Sequence, residues 1–99
     1  MGSCIVKLTP KDGREPKYVI WSTIVDAPTS RAMSVKDLKK HVARVQPENV
    51  YSFEHRMERV EKIGHSMITG ESLEDLLNNN RAGNGEKKLT VDEIYDRYK

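Results

Sequence analysis

The sequence predicts a single α+β domain over residues 1–99, in which an N-terminal β-hairpin packs against three to four short helices. Runs of β-branched and aromatic residues predict two strands within 4–25, and the sheet could include a third strand. Over 34–98, apolar residues recur at helical spacing and hydroxyl residues stand where helices would begin. Because a lone hairpin is not stable in water, this helical layer must cover its apolar face.

The hairpin turn predicts how the two strands pair. Asp12-Gly13 suits a turn that needs a positive φ, and a turn centred there pairs residues whose numbers sum to 25. Pro10 and Pro16 leave open a shifted register, which would exchange the two faces. In the unshifted register one face is apolar and forms the core: Cys4, Val6, Leu8, Val19 and Trp21. We expect Trp21 to be buried against one of three helical residues: Leu38, Leu76 or Ile94.

The opposite face of the hairpin is half apolar and predicts an interaction surface. Ile5, Tyr18 and Ile20 point away from the predicted core, and the second strand, taken as 17–25, outruns the first. An exposed apolar face favours association, so the sequence predicts a homodimer through the hairpin unless the chain itself covers that face. Two aromatic residues at a later loop–helix junction either staple the helix to the core or bind a partner. The candidate partner-binding residues are therefore Tyr18, Ile20, Ile24, Tyr51 and Phe53.

Four helices are predicted from their starts and stops. Ser34, Ser72 and Thr90 are each followed three positions later by an acidic residue, which is typical of a capped helix N-terminus. Pro47 and Gly64 indicate where the first two helices end. The predicted helices span about 34–45, 52–63, 72–80 and 90–98.

The first helix carries a basic face. At 100° per residue, four cations cluster opposite its apolar stripe: Lys36, Lys39, Lys40 and Arg44. Residues 1–50 hold nine Lys and Arg against five Asp and Glu, whereas residues 51–99 hold eight against ten. The basic face is the candidate nucleic-acid-binding site, and an ordinary solvated helix face is the alternative interpretation.

No catalytic, metal-binding or cofactor-binding residue is predicted. His41, His55 and His65 are 14 and 10 residues apart, so no two of them share a helical face. Cys4 is the only cysteine, which excludes an internal disulfide, favours a reducing compartment and predicts a small buried side chain. The mean hydropathy is −0.71 and no apolar run approaches about 18 residues, so no membrane span is expected. The predicted location is the cytoplasm.

Three segments carry a family resemblance. They read Trp21-Ser22-Thr23-Ile24-Val25-Asp26-Ala27-Pro28, Asn80-Arg81-Ala82-Gly83 and Leu89-Thr90-Val91-Asp92-Glu93-Ile94. In this order they resemble small proteins encoded by tailed phages of mycobacteria and related actinobacteria, which combine a W-S-x-[VI]-V-D-A-P stretch with a later N-R-A-G. The chain departs from that pattern at Asn84-Gly85, where the family has proline or an acidic residue.

The resemblance implies an accessory phage protein made in the host cytoplasm, and it implies no catalytic residues. The motif residues also have a structural interpretation, as residues that end a strand or form a turn. They are Trp21, Ser22, Asp26, Pro28, Asn80, Arg81 and Gly83. The leading functional hypothesis is a non-enzymatic protein that binds a host or phage protein, in a host-takeover or counter-defence role. The alternative hypothesis is a nucleic-acid-binding regulator that uses the basic face of helix 34–45.

Overall fold

An antiparallel sheet forms first along the chain, and helices follow it. The computed structural model describes residues 3–45, 47, 52–67 and 72–99. The sheet has three strands in the order β1 (Ser3–Leu8), β2 (Lys17–Ser22) and β3 (Ala27–Pro28). The described helices are α1 (Val35–Val45), α2 (Phe53–Ile63), α3 (Leu73–Asn78) and α4 (Val91–Arg97), with a 3₁₀ turn at Asn84–Glu86. The predicted α+β class is confirmed, and each helix ends within two residues of its predicted bounds.

The hairpin register is the predicted one. Facing residues have numbers that sum to 25, from residue 3 opposite 22 to residue 8 opposite 17. Gly13 takes the positive φ of +89° that the turn requires. A third strand is present as well, because β3 pairs with the last two residues of β2. The second strand is shorter than predicted: it ends at Ser22, and residues 23–26 form the turn into β3.

The predicted core face of the sheet packs against α3 and α4. Trp21 is fully buried there, in one cluster with Leu76 of α3 and Ile94 of α4. Cys4 lies on the same face and is buried, as expected for a small apolar side chain. Leu38, the third expected neighbour of Trp21, belongs instead to the core on the other side of the sheet.

The opposite face of the sheet is also buried, which corrects the sequence-based expectation. Ile5 is fully buried, and Tyr18 and Ile20 are 7% and 6% exposed, because α1 and α2 pack across this face. Apolar residues of the two helices and of the segment before α1 complete this second core: Met33, Leu38, Val42, Phe53, Met57 and Val60. The prediction that Tyr18 and Ile20 are exposed to a partner is therefore wrong. The surface on which a homodimer was predicted is occupied by the chain's own helices.

Both edges of the hairpin are paired by segments that lie later in the chain. On the β1 edge, the Ile5 amide donates to Ser66 Oγ at 2.8 Å. On the β2 edge, the Tyr18 amide donates to the Met33 carbonyl at 2.8 Å, and the Met33 amide donates back to the Tyr18 carbonyl at 2.9 Å. These bonds satisfy outward-facing backbone groups that a bare hairpin would leave available for pairing with another strand.

Gly64 ends α2 and returns the chain to β1. Its φ is +88°, its amide donates to the Val60 carbonyl and its carbonyl accepts from the Lys7 amide, each at 2.8 Å. A Cβ atom at this position would clash with the side chain of Leu73. The glycine therefore serves both the left-handed helix end and the close approach of α3.

The loop that joins β1 to β2 is fixed against α4. The Arg14 guanidinium pairs with Asp12 at 2.7 Å and with Asp96 of α4, and it lies 4.5 Å from the centre of the Tyr95 ring. The Tyr95 hydroxyl donates to the Glu15 carbonyl at 2.7 Å. Hydrogen bonds from Arg14 hold the pKa of both carboxyls below the ordinary value. The two ion pairs therefore stabilise the fold above the ordinary aspartate pKa, and this contribution is lost as the pH falls through the lowered folded-state values.

The substitution Ile20→Asp tests whether the second face is buried. It places a carboxylate among apolar side chains, so we expect the free energy of unfolding to fall by more than about 4 kcal/mol, a large part of the stability of a domain this small. The measurement is urea denaturation followed by the fluorescence of Trp21.

The matched control for this prediction is Ile24→Asp, the same change at an exposed position. We expect it to alter the free energy of unfolding by less than about 0.5 kcal/mol. An Ile20→Asp protein with wild-type stability would show that Ile20 does not lie in a core.

Candidate functional site

The turn between β2 and β3 presents the two most exposed large apolar side chains among the described residues. Ile24 is 79% exposed and Val25 is 52% exposed. We refer to residues 23–26 as the apolar turn. Ser22 Oγ accepts hydrogen bonds from the amides of Ile24 at 3.2 Å and Val25 at 3.4 Å, which turns the chain out of β2. Asp26 then takes a left-handed φ of +54°, a conformation that Asp adopts more readily than most residues.

The structure separates the five candidate partner-binding residues. Ile24 is exposed, whereas Tyr18 and Ile20 lie in the second core. Phe53 is 2% exposed and packs in that same core, so it staples the start of α2 rather than facing a partner, which corrects its prediction as an exposed anchor. Tyr51 lies outside the described residues. The sequence pattern assigns Val25 to the second strand, so its exposure was not predicted. Ser22 before this segment and Asp26-Ala27-Pro28 after it are nevertheless residues typical of a turn.

The segments 21–28 and 80–83 meet beside the apolar turn. The Asp26 carbonyl accepts a hydrogen bond from the Arg81 amide at 2.8 Å. Arg81 Nε lies 3.7 Å from Asp26 Oδ2, and its Nη1 lies 3.8 Å from Glu86 Oε2. Both ion pairs are long and involve a half-exposed guanidinium, so they add little stability. The backbone hydrogen bond is the contact that fixes the turn to the later segment.

Asn80 holds in place the segment that contacts the turn. It is buried, and its Nδ2 donates to the carbonyls of Leu77 at 2.6 Å and Leu89 at 2.8 Å. Its Oδ1 accepts from the Leu89 amide at 2.8 Å. Gly83 supports the same loop, because a Cβ atom there would lie only 2.9 Å from the Lys87 carbonyl oxygen. Sequence spacing gave no sign of the Asn80 contacts, since they depend on how α3 and the start of α4 pack together.

A polar hollow of about 470 Å³ shares Asp26 with the apolar turn. Its lining is polar and includes acidic, basic and amide side chains: Asp26, Asn79, Asn80, Arg81, Glu86 and Lys88. Small-molecule sites are mostly apolar, whereas the rims of protein interfaces are polar and hydrated. The hollow therefore resembles an interface rim beside an apolar contact more than it resembles a ligand pocket.

The Tyr18 hydroxyl is engaged within the chain. It donates to Glu61 Oε1 at 2.6 Å, and Glu61 Oε2 accepts from Lys7 Nζ at 3.0 Å. Burial and the neighbouring Glu61 carboxylate raise the pKa of Tyr18 to about 12. The hydrogen bonds from Tyr18 and Lys7 hold the pKa of Glu61 below the ordinary value. The cluster thus ties both strands of the hairpin to α2.

The basic face of α1 is exposed, in agreement with the helical periodicity. Lys39 Nζ lies 3.5 Å from Glu54 Oε1, and Arg44 Nη2 lies 3.4 Å from His41 Nδ1. Lys36 and Lys40 make no ion pair with any residue that the structure describes.

Within the described parts of the chain, no three His, Cys, Asp or Glu side chains are close enough to hold a metal ion. His65 is fully buried, and its Nδ1 accepts from the Met67 amide at 3.1 Å. None of the described helices has the length and apolar composition required to cross a membrane.

Replacing Asn80 tests the structural role of the second motif. Asn80→Ala removes the three hydrogen bonds that the buried Asn80 side chain makes to the partly buried backbone of Leu77 and Leu89, so we expect a loss of about 1–3 kcal/mol in the free energy of unfolding. Asn79→Ala is the matched control, because Asn79 is an exposed neighbour. Equal urea midpoints for the two variants would contradict the role assigned to Asn80.

Comparison with known proteins identifies no relative of this chain. No protein-family model matches the chain, and no curated protein or solved structure is significantly similar to it. The candidate surfaces therefore rest on the exposure, contacts and charges of the chain's own residues.

Proposed function

We propose that this chain is a non-enzymatic, phage-encoded accessory protein that binds a host or phage protein in the host cytoplasm through its apolar turn. The observation that carries this proposal is the exposure of two adjacent β-branched side chains, Ile24 and Val25, in a chain that otherwise buries both faces of its sheet. The phage origin is supported by the resemblance of the segments 21–28 and 80–83.

Exposed apolar side chains that stand singly on a surface require no explanation, but an adjacent pair at a turn tip does. Val35, Val45 and Ile63 are also exposed, but no two of them are consecutive in the sequence. Ile24 and Val25 are consecutive, and the backbone carries both of them away from the sheet. Burying such a pair in a partner's pocket would remove unfavourable apolar surface from water.

The turn is held in one conformation from both sides. Ser22 Oγ fixes the amides at its start, and the Arg81 amide fixes the Asp26 carbonyl at its end. β3 then pairs with β2 directly after the turn. A preorganised loop loses less conformational entropy when it binds, so a small contact of this kind yields more affinity than a flexible loop would.

Two side chains alone are too small for a stable interface, which typically buries about 800 Å² on each partner. The polar hollow next to the turn extends the surface and supplies donors and acceptors from Arg81, Lys88 and Glu86. An apolar anchor surrounded by polar groups is the usual arrangement of a protein-binding hot spot. The proposed interface therefore comprises the apolar turn and the rim of the hollow.

Affinity capture from an actinobacterial lysate, carried out in parallel with wild type and variants, tests the proposal. We expect the wild type to retain a discrete protein, and Ile24→Asp to weaken that interaction by roughly tenfold or more. Val45→Asp is the matched control, since it makes the same kind of change at another exposed apolar position. It should leave the recovery unchanged.

Two results would contradict the proposed function. One is recovery of nucleic acid without any protein. The other is equal recovery of the same protein by the wild type and by Ile24→Asp, which would place its binding site elsewhere on the chain.

A further inference from the structure

We propose that the exposed face of α1 binds the phosphate backbone of double-stranded nucleic acid, as a second interaction surface separate from the apolar turn. The surface consists of Lys36, Lys40 and Arg44, with Lys39 beside them, and we refer to it as the α1 stripe. The proposal goes beyond the protein-binding function, and neither depends on the other.

The three principal cations form a row along the helix. Lys36, Lys40 and Arg44 follow one another at intervals of four residues, which in an α-helix means a rise of about 6 Å and a rotation of about 40° per step. The row is therefore about 12 Å long and stays on one side of α1. All three side chains are exposed.

The row is held rigidly because the other side of α1 is fixed in the second core. Leu38 and Val42 are fully buried against the sheet. Ser34 Oγ accepts from the Asp37 amide at 3.2 Å and caps the start of the helix. The backbone that carries the cations therefore needs no rearrangement to meet a partner.

The positive charge of the row is not neutralised by the described part of the chain. Lys36, Lys40 and Arg44 have no acidic partner there, and Asp37 is the only acidic residue of α1. Lys39 contacts Glu54 at 3.5 Å, but both side chains are exposed and such a pair is weak.

The composition of the stripe favours phosphate over other anionic partners. Protein interface cores are depleted in Lys and enriched in Tyr, Trp and Phe, whereas α1 contains none of these three residues. A membrane-surface helix inserts its apolar side into the lipid, but Leu38 and Val42 on the apolar side of α1 are already buried in the second core. Single-stranded nucleic acid is bound mainly by stacking on large aromatic side chains, and α1 contains no Phe, Tyr or Trp. A duplex requires only a row of cations placed along its backbone.

Such contacts bind without reading the sequence, and their signature is a strong dependence on salt. For a duplex, each neutralised phosphate adds about −0.9 to the slope of the logarithm of the binding constant against the logarithm of the salt concentration. With three cations in the row, we expect a slope of about −3 and a dissociation constant in the micromolar range at low salt.

The test is the fluorescence anisotropy of a labelled 20-base-pair duplex of mixed sequence, titrated with the full chain over a series of salt concentrations. The stripe variant is Lys36→Gln/Lys40→Gln/Arg44→Gln. The matched control is Lys62→Gln/Lys87→Gln/Lys99→Gln, which removes the same charge from exposed positions outside α1. Thermal melting of both variants establishes that they are folded.

We expect the stripe variant to lose at least tenfold in affinity at low salt and to bring the slope close to zero. The control should retain most of the affinity and the wild-type slope. Equal weakening of the two variants would overturn the proposal, because net charge alone would then explain binding. Tighter binding of the wild type to a single strand of the same length would overturn it as well.

Two of the variants already described separate this surface from the apolar turn. Ile24→Asp should bind the duplex as the wild type does, whether or not it loses its protein partner. The stripe variant should still recover the protein partner. If the stripe variant loses the protein and keeps its affinity for the duplex, the stripe serves an acidic protein surface and the proposal is wrong.

Discussion

Pairing of β1 with β2 creates two apolar faces and two open edges, and the rest of the chain covers all four. Six-residue strands cannot persist alone in water, so the hairpin needs partners on every side. The cluster that contains Trp21 covers one face with residues of α3 and α4, and the cluster that contains Ile20 covers the other with residues of α1 and α2. The segments around Ser66 and Met33 pair with the outer edges. Among the described residues five large apolar side chains are exposed, and Ile24 is the most exposed of them.

Local chemistry made part of this fold predictable. The turn at Asp12-Gly13 and the two-residue period of the strands determine the register, because a shift by one residue would exchange every side chain between the faces. Helix starts were predictable because capping involves neighbouring residues: Thr90 and Glu93 form the expected reciprocal bonds, and Ser72 accepts from its own helix. In each case the residues that make up the signal lie within a few positions of one another along the chain.

Long-range packing was not predictable from the same patterns. An amphipathic stripe indicates that a helix buries one side but not which surface it meets, so the covering of Ile5, Tyr18 and Ile20 by α1 and α2 was missed. The bonds of Asn80 to Leu89 likewise depend on the arrangement of two helices. For the candidate site, helical periodicity identified the α1 stripe. Ile24 was predicted to be exposed as part of a strand face, whereas its exposure arises from the turn that follows β2. The strand pattern missed Val25, because a β-branched residue after a strand is read as more strand.

Native-state hydrogen exchange of the outward-facing amides tests most directly whether the chain encloses its hairpin. Ile5 and Lys7 donate from the β1 edge to Ser66 Oγ and the Gly64 carbonyl, and Tyr18 donates from the β2 edge to the Met33 carbonyl. An enclosed sheet predicts that these three amides exchange with opening free energies close to that of global unfolding, as the inward-facing amides of Cys4 and Val6 do. Rapid exchange at Ile5, Lys7 and Tyr18, with protection confined to the inward amides, would contradict it and would show a hairpin with open edges.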